Sequence, residues 1–103
     1  GFYHLDGPAQ IAHVDLLMGI ERLRGIQWVP GAGNADPEAW PALLARIVRG
    51  GKLCQVVVSA EGALRIVREV GGTGFMLTIS DQMTAAEAAA FLRLLEREDR
   101  SRR

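Results

Sequence analysis

Two periods of apolar residues alternate along this chain. Short runs of aliphatic, aromatic and β-branched residues, whose neighbours point to opposite faces, predict strands at about Phe2–Leu5, Ile26–Val29, Leu53–Val58 and Phe75–Ile79. Between them, apolar residues recur every three or four positions, which predicts helices. The first helix carries Ile11, Val14, Leu17 and Met18 on one face. The second carries Trp40, Leu43, Leu44, Ile47 and Val48, and the third Ala63, Leu64, Val67 and Val70. An Ala-rich segment running to about Glu98 has the strongest helix propensity of all. The order is therefore βαβαβαβα.

The junctions agree. Pro8 suits a first helical turn, where its missing N–H is not needed. Asp36-Pro37 reads as an N-cap followed by the first helical residue, and Ser59 as the cap of the third helix. Thr84-x-x-Glu87 is a capping box, in which each side chain satisfies the other's free backbone N–H. Gly50-Gly51 and Gly71-Gly72 end the second and third helices.

Strands joined by crossover helices run parallel, and two architectures compete for them. An open doubly wound sheet is apolar on both faces, whereas a barrel-type sheet keeps helices outside and polar groups at the strand C-terminal ends. Residue parity separates the two. Tyr3, Leu5, Ile26, Trp28, Cys54, Val56, Val58, Phe75, Leu77 and Ile79 include no charge and no amide. The alternate set, Phe2, His4, Asp6, Gln27, Val29, Leu53, Gln55, Val57, Ser59, Met76, Thr78 and Ser80, carries nearly every polar group of the strands, and in three of the four strands its last member is polar. The expectation is an α/β chain of four βα units, residues 1–103 forming one half of a (βα)8 barrel with helices on its outer face. Such a half leaves two bare strand edges and an exposed inner face, so a homodimer is expected.

Composition narrows the classes. Apolar residues make up 49% of the chain, enough for a packed core. Twelve basic residues balance twelve acidic ones, so no electrostatic footprint for nucleic acid exists. No apolar run approaches the roughly 20 residues that cross a bilayer, so no membrane role is expected. Cys54 is the only cysteine, which excludes an intrachain disulfide and makes a reducing cytoplasm the expected compartment.

The candidate chemistry starts at YHLDGP. His4 and Asp6 lie two apart on a strand and point the same way. They either hold a metal, or pair as a general base with its orienting carboxylate, or serve structure, with Asp6 capping the following helix. Gln27 and Gln55 occupy inward positions on adjacent strands and bind a polar ligand or each other. Asn34 ends the glycine-rich turn PGAGN, whose backbone N–H groups suit an anion but which lacks the full dinucleotide fingerprint. Ser59 and Ser80 fall in capping contexts, so no Ser-His-Asp set emerges. Glu61 and Asp81 follow the third and fourth strands and are a weak acid–base pair. Trp28 reads as core, and His13 beside Asp15 as solvated surface.

YHLDGP, IQWVPGAGN and GGKLCQVVVSAEGALRIVREVGGTGFMLTIS together resemble the C-terminal half of the uroporphyrinogen decarboxylase superfamily, nearest its corrinoid-dependent methyltransferase-like branch. The resemblance spans essentially the whole chain and implies a (βα)8 barrel. It also implies a zinc that activates a thiol, held by a His-x-Cys pair and a later Cys. His4 matches the first ligand, but Asp6 stands at the second, and no Cys occurs near Thr78–Ser80. The decarboxylase branch draws its arginines and aspartate from an N-terminal half that these residues do not match. The resemblance therefore implies a half-barrel that binds a small polar ligand through His4, Asp6, Gln27, Asn34, Gln55, Ser59, Thr78 and Ser80, without an intact zinc or decarboxylase site. The alternative is a part of a corrinoid-linked methyltransferase in which His4, with Asp6 beside it, is the metal or base residue.

Overall fold

The computed structural model describes residues 1–102. Strands β1 (Phe2–Asp6), β2 (Gly25–Val29), β3 (Leu53–Val58) and β4 (Phe75–Ile79) form one sheet in the order β1-β2-β3-β4, every neighbouring pair parallel. The helices are α1 (Val14–Met18), α2 (Pro41–Arg49), α3 (Ala60–Glu69) and α4 (Ala85–Ser101). Short 3-10 segments at Pro8–His13 and Pro37–Ala39 precede α1 and α2. No helix among the described residues is long and apolar enough to cross a membrane.

One face of the sheet is covered. Leu5, Ile26, Trp28, Cys54, Val56 and Val58 pack with Val14 and Leu17 of α1, Leu43, Leu44 and Ile47 of α2, and Ala63 and Ile66 of α3 in a single buried cluster. A fully buried Leu or Ile contributes about 1.5–3 kcal/mol of transfer free energy, so this face supplies the main stabilisation. The opposite face has no such cover: Val57 is 51% and Met76 48% exposed, and Val29 and Leu53 are exposed as well. The alternation predicted from parity thus separates a buried face from an open one.

Several predicted boundaries move for local reasons. The helix expected from Pro8 is a 3-10 turn followed by one short α-helix, although Ile11, Val14, Leu17 and Met18 all reach the core as expected. Asp6 does not cap it. The N-cap is Gly7 at φ 84°, with no side-chain cap bond, and Asp6 is the exposed last residue of β1. Asp36-Pro37 opens only the second 3-10 turn, again without a side-chain cap. The α-helix waits for Pro41, because the residue before a proline is driven out of the helical region, and Trp40 sits at φ −118°, ψ 53°.

The later predictions stand as made. The Ser59 hydroxyl accepts from the Gly62 N–H at 3.0 Å. Thr84 and Glu87 form both halves of their capping box, at 3.1 and 3.0 Å. The predicted end of α2 also holds, with Gly51 at φ 87° just beyond it.

Candidate functional site

The open face is organised by register. His4 opposes Gln27, Gln27 opposes Gln55, and Gln55 opposes Met76, so one row of side chains crosses all four strands. Toward the strand N-termini, Phe2, Gly25 and Leu53 form an apolar row. A Cβ on Gly25 would stand 2.5 Å from Cε2 of Phe2 and 2.8 Å from the carbonyl oxygen of Leu53. The missing side chain therefore makes room for the Phe2 ring across the sheet floor. Toward the C-termini, Asp6 opposes Val29 and Val57 opposes Thr78. Along its strands the face thus runs from apolar, through imidazole and amides, to a mixed rim.

At that rim a cleft of about 330 Å³ opens between the ends of β2 and β3 and the loop that follows β2. Gln27, Val29, Asn34 and Val57 are among its walls. Gly31 and Gly33 both take positive φ, 91° and 82°, which bends the loop tightly. The Asn34 side-chain amide donates to the carbonyl of Pro30 at 2.9 Å and so braces the loop from within.

The structure sorts the predicted residues into two groups. His4, Asp6, Gln27, Gln55 and Thr78 share the open face, and none makes a side-chain hydrogen bond or ion pair among the described residues. Gln27 and Gln55 are cross-strand neighbours without bonding to each other. Ser59 and Ser80 are otherwise engaged. Ser59 caps α3, and the Ser80 hydroxyl donates to the carbonyl of Val58 at 3.2 Å.

The acids after β3 and β4 do not form a catalytic pair. Asp81 accepts from the Ala60 N–H at 3.0 Å and serves as a second acceptor at the start of α3. Glu61 is exposed beside a separate cleft on the helical side. Its neighbours Arg65 and Arg68 are paired with Glu69 and Glu98, each at 2.9 Å.

Metal chemistry lacks donors. No group of three or more His, Cys, Asp or Glu residues gathers among the described residues. His4 and Asp6 are two ligands where a catalytic zinc takes three. Cys54 lies on the buried face, and burial pushes its thiol up to about 12, far from the thiolate a metal or nucleophile requires. Trp28 is core, as expected, stacked edge-on against Trp40 at 5.4 Å, although its indole N–H finds no acceptor among the described residues.

One polar group escaped the sequence reading. Lys52 is only 7% exposed, and its Nζ donates to the carbonyls of Ile20 and Leu23 at 2.5 and 2.7 Å. It ties the loop before β2 to the turn before β3, at the opposite end of the strands from the cleft. No local pattern marks it, because its acceptors lie about thirty residues away.

These features define an α/β domain with a parallel sheet, one packed face, and an unpaired polar row leading to a cleft at the strand C-terminal ends. No family model matches the chain, and no curated protein or solved structure matches it either.

Proposed function

We propose that this chain is one half of a (βα)8 barrel resembling the uroporphyrinogen decarboxylase and corrinoid-dependent methyltransferase superfamily, and that it binds a small polar ligand at the strand C-terminal ends. One observation carries the reading: His4, Gln27 and Gln55 lie in a single register row on an uncovered face and are unpaired. Amides and imidazole left free of protein partners suit a ligand with both donors and acceptors. An unreversed strand order supports the barrel geometry. With right-handed crossovers, the order β1-β2-β3-β4 places successive helices on the same side of the sheet, whereas a doubly wound sheet reverses. Ligand sites in barrels collect at this end of the strands.

The reading assigns no zinc or decarboxylase site to these residues. Its test is a titration of the 15N-labelled chain with succinate and with 2-mercaptoethanesulfonate, a carboxylate and a thiol probe. The side-chain amides of Gln27 and Gln55 should shift with either probe, and the response should vanish in Gln55→Ala. Shifts confined to the cleft beside Glu61 would overturn it.

A second reading rests on the exposure of His4 beside Asp6. It makes His4 the metal or base residue of a methyltransferase-type enzyme. It predicts a zinc-dependent thiol methylation that His4→Ala abolishes while the far-ultraviolet circular dichroism spectrum stays unchanged.

A further inference from the structure

The two ends of the sheet are less completely covered on the helical side than its centre. Tyr3 belongs to the same parity set as Leu5, yet Leu5 is fully buried and Tyr3 is exposed. On β4, Phe75, Leu77 and Ile79 are only partly buried. The outermost helices explain this. Asp15 of α1 pairs with Arg46 of α2, and Met18 lies against Gly50 at the end of α2. Leu16, turned from these contacts, is 73% exposed, and Ile20 just beyond α1 is 49% exposed. At the other end, Glu98 of α4 and Arg102 just beyond it bond to Arg68 of α3. Leu92 stands about 120° around the helix from Glu98. It is 58% exposed, with Ala85 and Ala89 exposed on the same side. Each flank of the helix layer thus presents apolar side chains beside an unpaired strand edge.

The molecule has the surface of an incomplete body. A monomeric protein of 11.2 kDa exposes about 5,700 Å², and this chain exposes 6303 Å². The excess of about 600 Å² approaches the roughly 800 Å² that each partner contributes to a standard interface. Its radius of gyration is 13.8 Å, against about 12.8 Å for a compact chain of this length. Its smallest dimension is only 23 Å. The balanced formal charge raises no long-range barrier between identical copies.

We propose that the partner is a second copy of this chain, joined at both flanks: β4 of each copy extends onto β1 of the other, and Leu92, Ala89 and Ala85 of each α4 meet Leu16 and Ile20 beside the other α1. The proposal rests on the half-barrel reading and names the body that completes it. Strand polarity selects this arrangement. A two-fold axis along the strands makes both junctions parallel and equivalent and closes eight strands. A two-fold contact of β1 with β1, or of β4 with β4, is antiparallel and leaves the remaining edges bare.

The test uses the full chain and two exposed-site variants, Leu16→Cys and Leu92→Cys. Sedimentation velocity should give twice the chain mass at micromolar concentration. A short bismaleimide should link the mixed variants at least fivefold more than either variant alone. Cys54 needs no removal, being buried. A monomer, or a dimer linked 16 to 16 or 92 to 92, overturns the proposal. Two results separate its failure from that of the half-barrel reading. A monomer whose Gln27 and Gln55 amides still respond to succinate or 2-mercaptoethanesulfonate removes only the second copy. A dimer without the 16-to-92 link that Val57→Asp dissociates is a sandwich of open faces, and overturns both.

Discussion

The Asp81 carboxylate, in the segment between β4 and α4, accepts a hydrogen bond from the backbone N–H of Ala60, the first residue of α3, at 3.0 Å. Two residues twenty-one apart are thereby joined, and α3 begins with two acceptors, Asp81 and Ser59. A carboxylate there also meets the positive end of the helix. Ser59→Ala and Asp81→Ala should each lower unfolding free energy by about 1 kcal/mol. The double variant should lose less than the sum, because the remaining N–H groups reach water once the end frays. Urea unfolding of the four proteins checks both statements.

Lys52 carries a larger structural burden. Its Nζ satisfies two loop carbonyls from a site that is almost wholly buried. Lys52→Met keeps the stem but leaves both carbonyls without their donor, at about 1–3 kcal/mol for each group left unsatisfied. The expected loss is about 2–6 kcal/mol, read from the urea midpoint. Hydrogen exchange should quicken first in the segment between α1 and β2. A loss below about 0.5 kcal/mol would show that water replaces the ammonium.

Gly25 is needed for space and not for a left-handed backbone. Gly25→Ala would push a methyl group into the Phe2 ring and the Leu53 carbonyl. Overpacking of this kind costs about 1–3 kcal/mol. Phe2→Leu should recover part of the loss in the Gly25→Ala background, since the ring yields and the backbone carbonyl does not. Thermal unfolding of the two single variants and the double variant measures the coupling.

Cys54 should resist modification until the protein opens. Its thiol is raised from 9.0 to about 12 by burial, so the folded chain holds its proton where an unfolded chain releases it. The resulting stabilisation is complete below about pH 9 and is lost as pH rises toward 12. Reaction with a chromogenic disulfide at pH 8 should therefore follow the rate of opening and accelerate sharply in urea. Cys54→Val should flatten the decline in stability between pH 9 and pH 11.

The carboxyl groups of Glu87 and Glu98 are held below the usual range, Glu87 by its hydrogen bond to the Thr84 backbone and Glu98 by its bond to Arg68. For a depressed acid, the stabilising contribution is present above the unfolded pKa and is lost as pH falls through the folded one. Stability should drop on acidification below about pH 4.5. Glu87→Gln should remove the acid dependence contributed by Glu87, seen as a smaller change in thermal midpoint between pH 5 and pH 3.

The element order, the two faces of the sheet and the start of α4 were all legible in the residues. Strand alternation, helical recurrence and caps such as Ser59 and Thr84 act over two to four positions, and so they are written locally. What binds what was far less legible. Asp6 has the composition of a cap, but Gly7 takes that position and leaves the carboxylate on the open face. Asp81 has the composition of a mouth acid, but an N–H on α3 claims it. Pro41 did carry a local signal, the restriction on the residue before proline, which shifts the start of α2.

By itself, then, the sequence determined that four βα units form a sheet with one oily surface, because side-chain period and backbone capping are short-range properties. Only the tertiary structure decided that His4, Gln27 and Gln55 stand in one unpaired row, that Phe2 lies over Gly25, and that Lys52 holds a loop thirty residues away. Register and long-range hydrogen bonds depend on which distant backbone arrives opposite. That is set by the packing of the whole sheet against its helices, and no stretch of neighbouring residues encodes it alone.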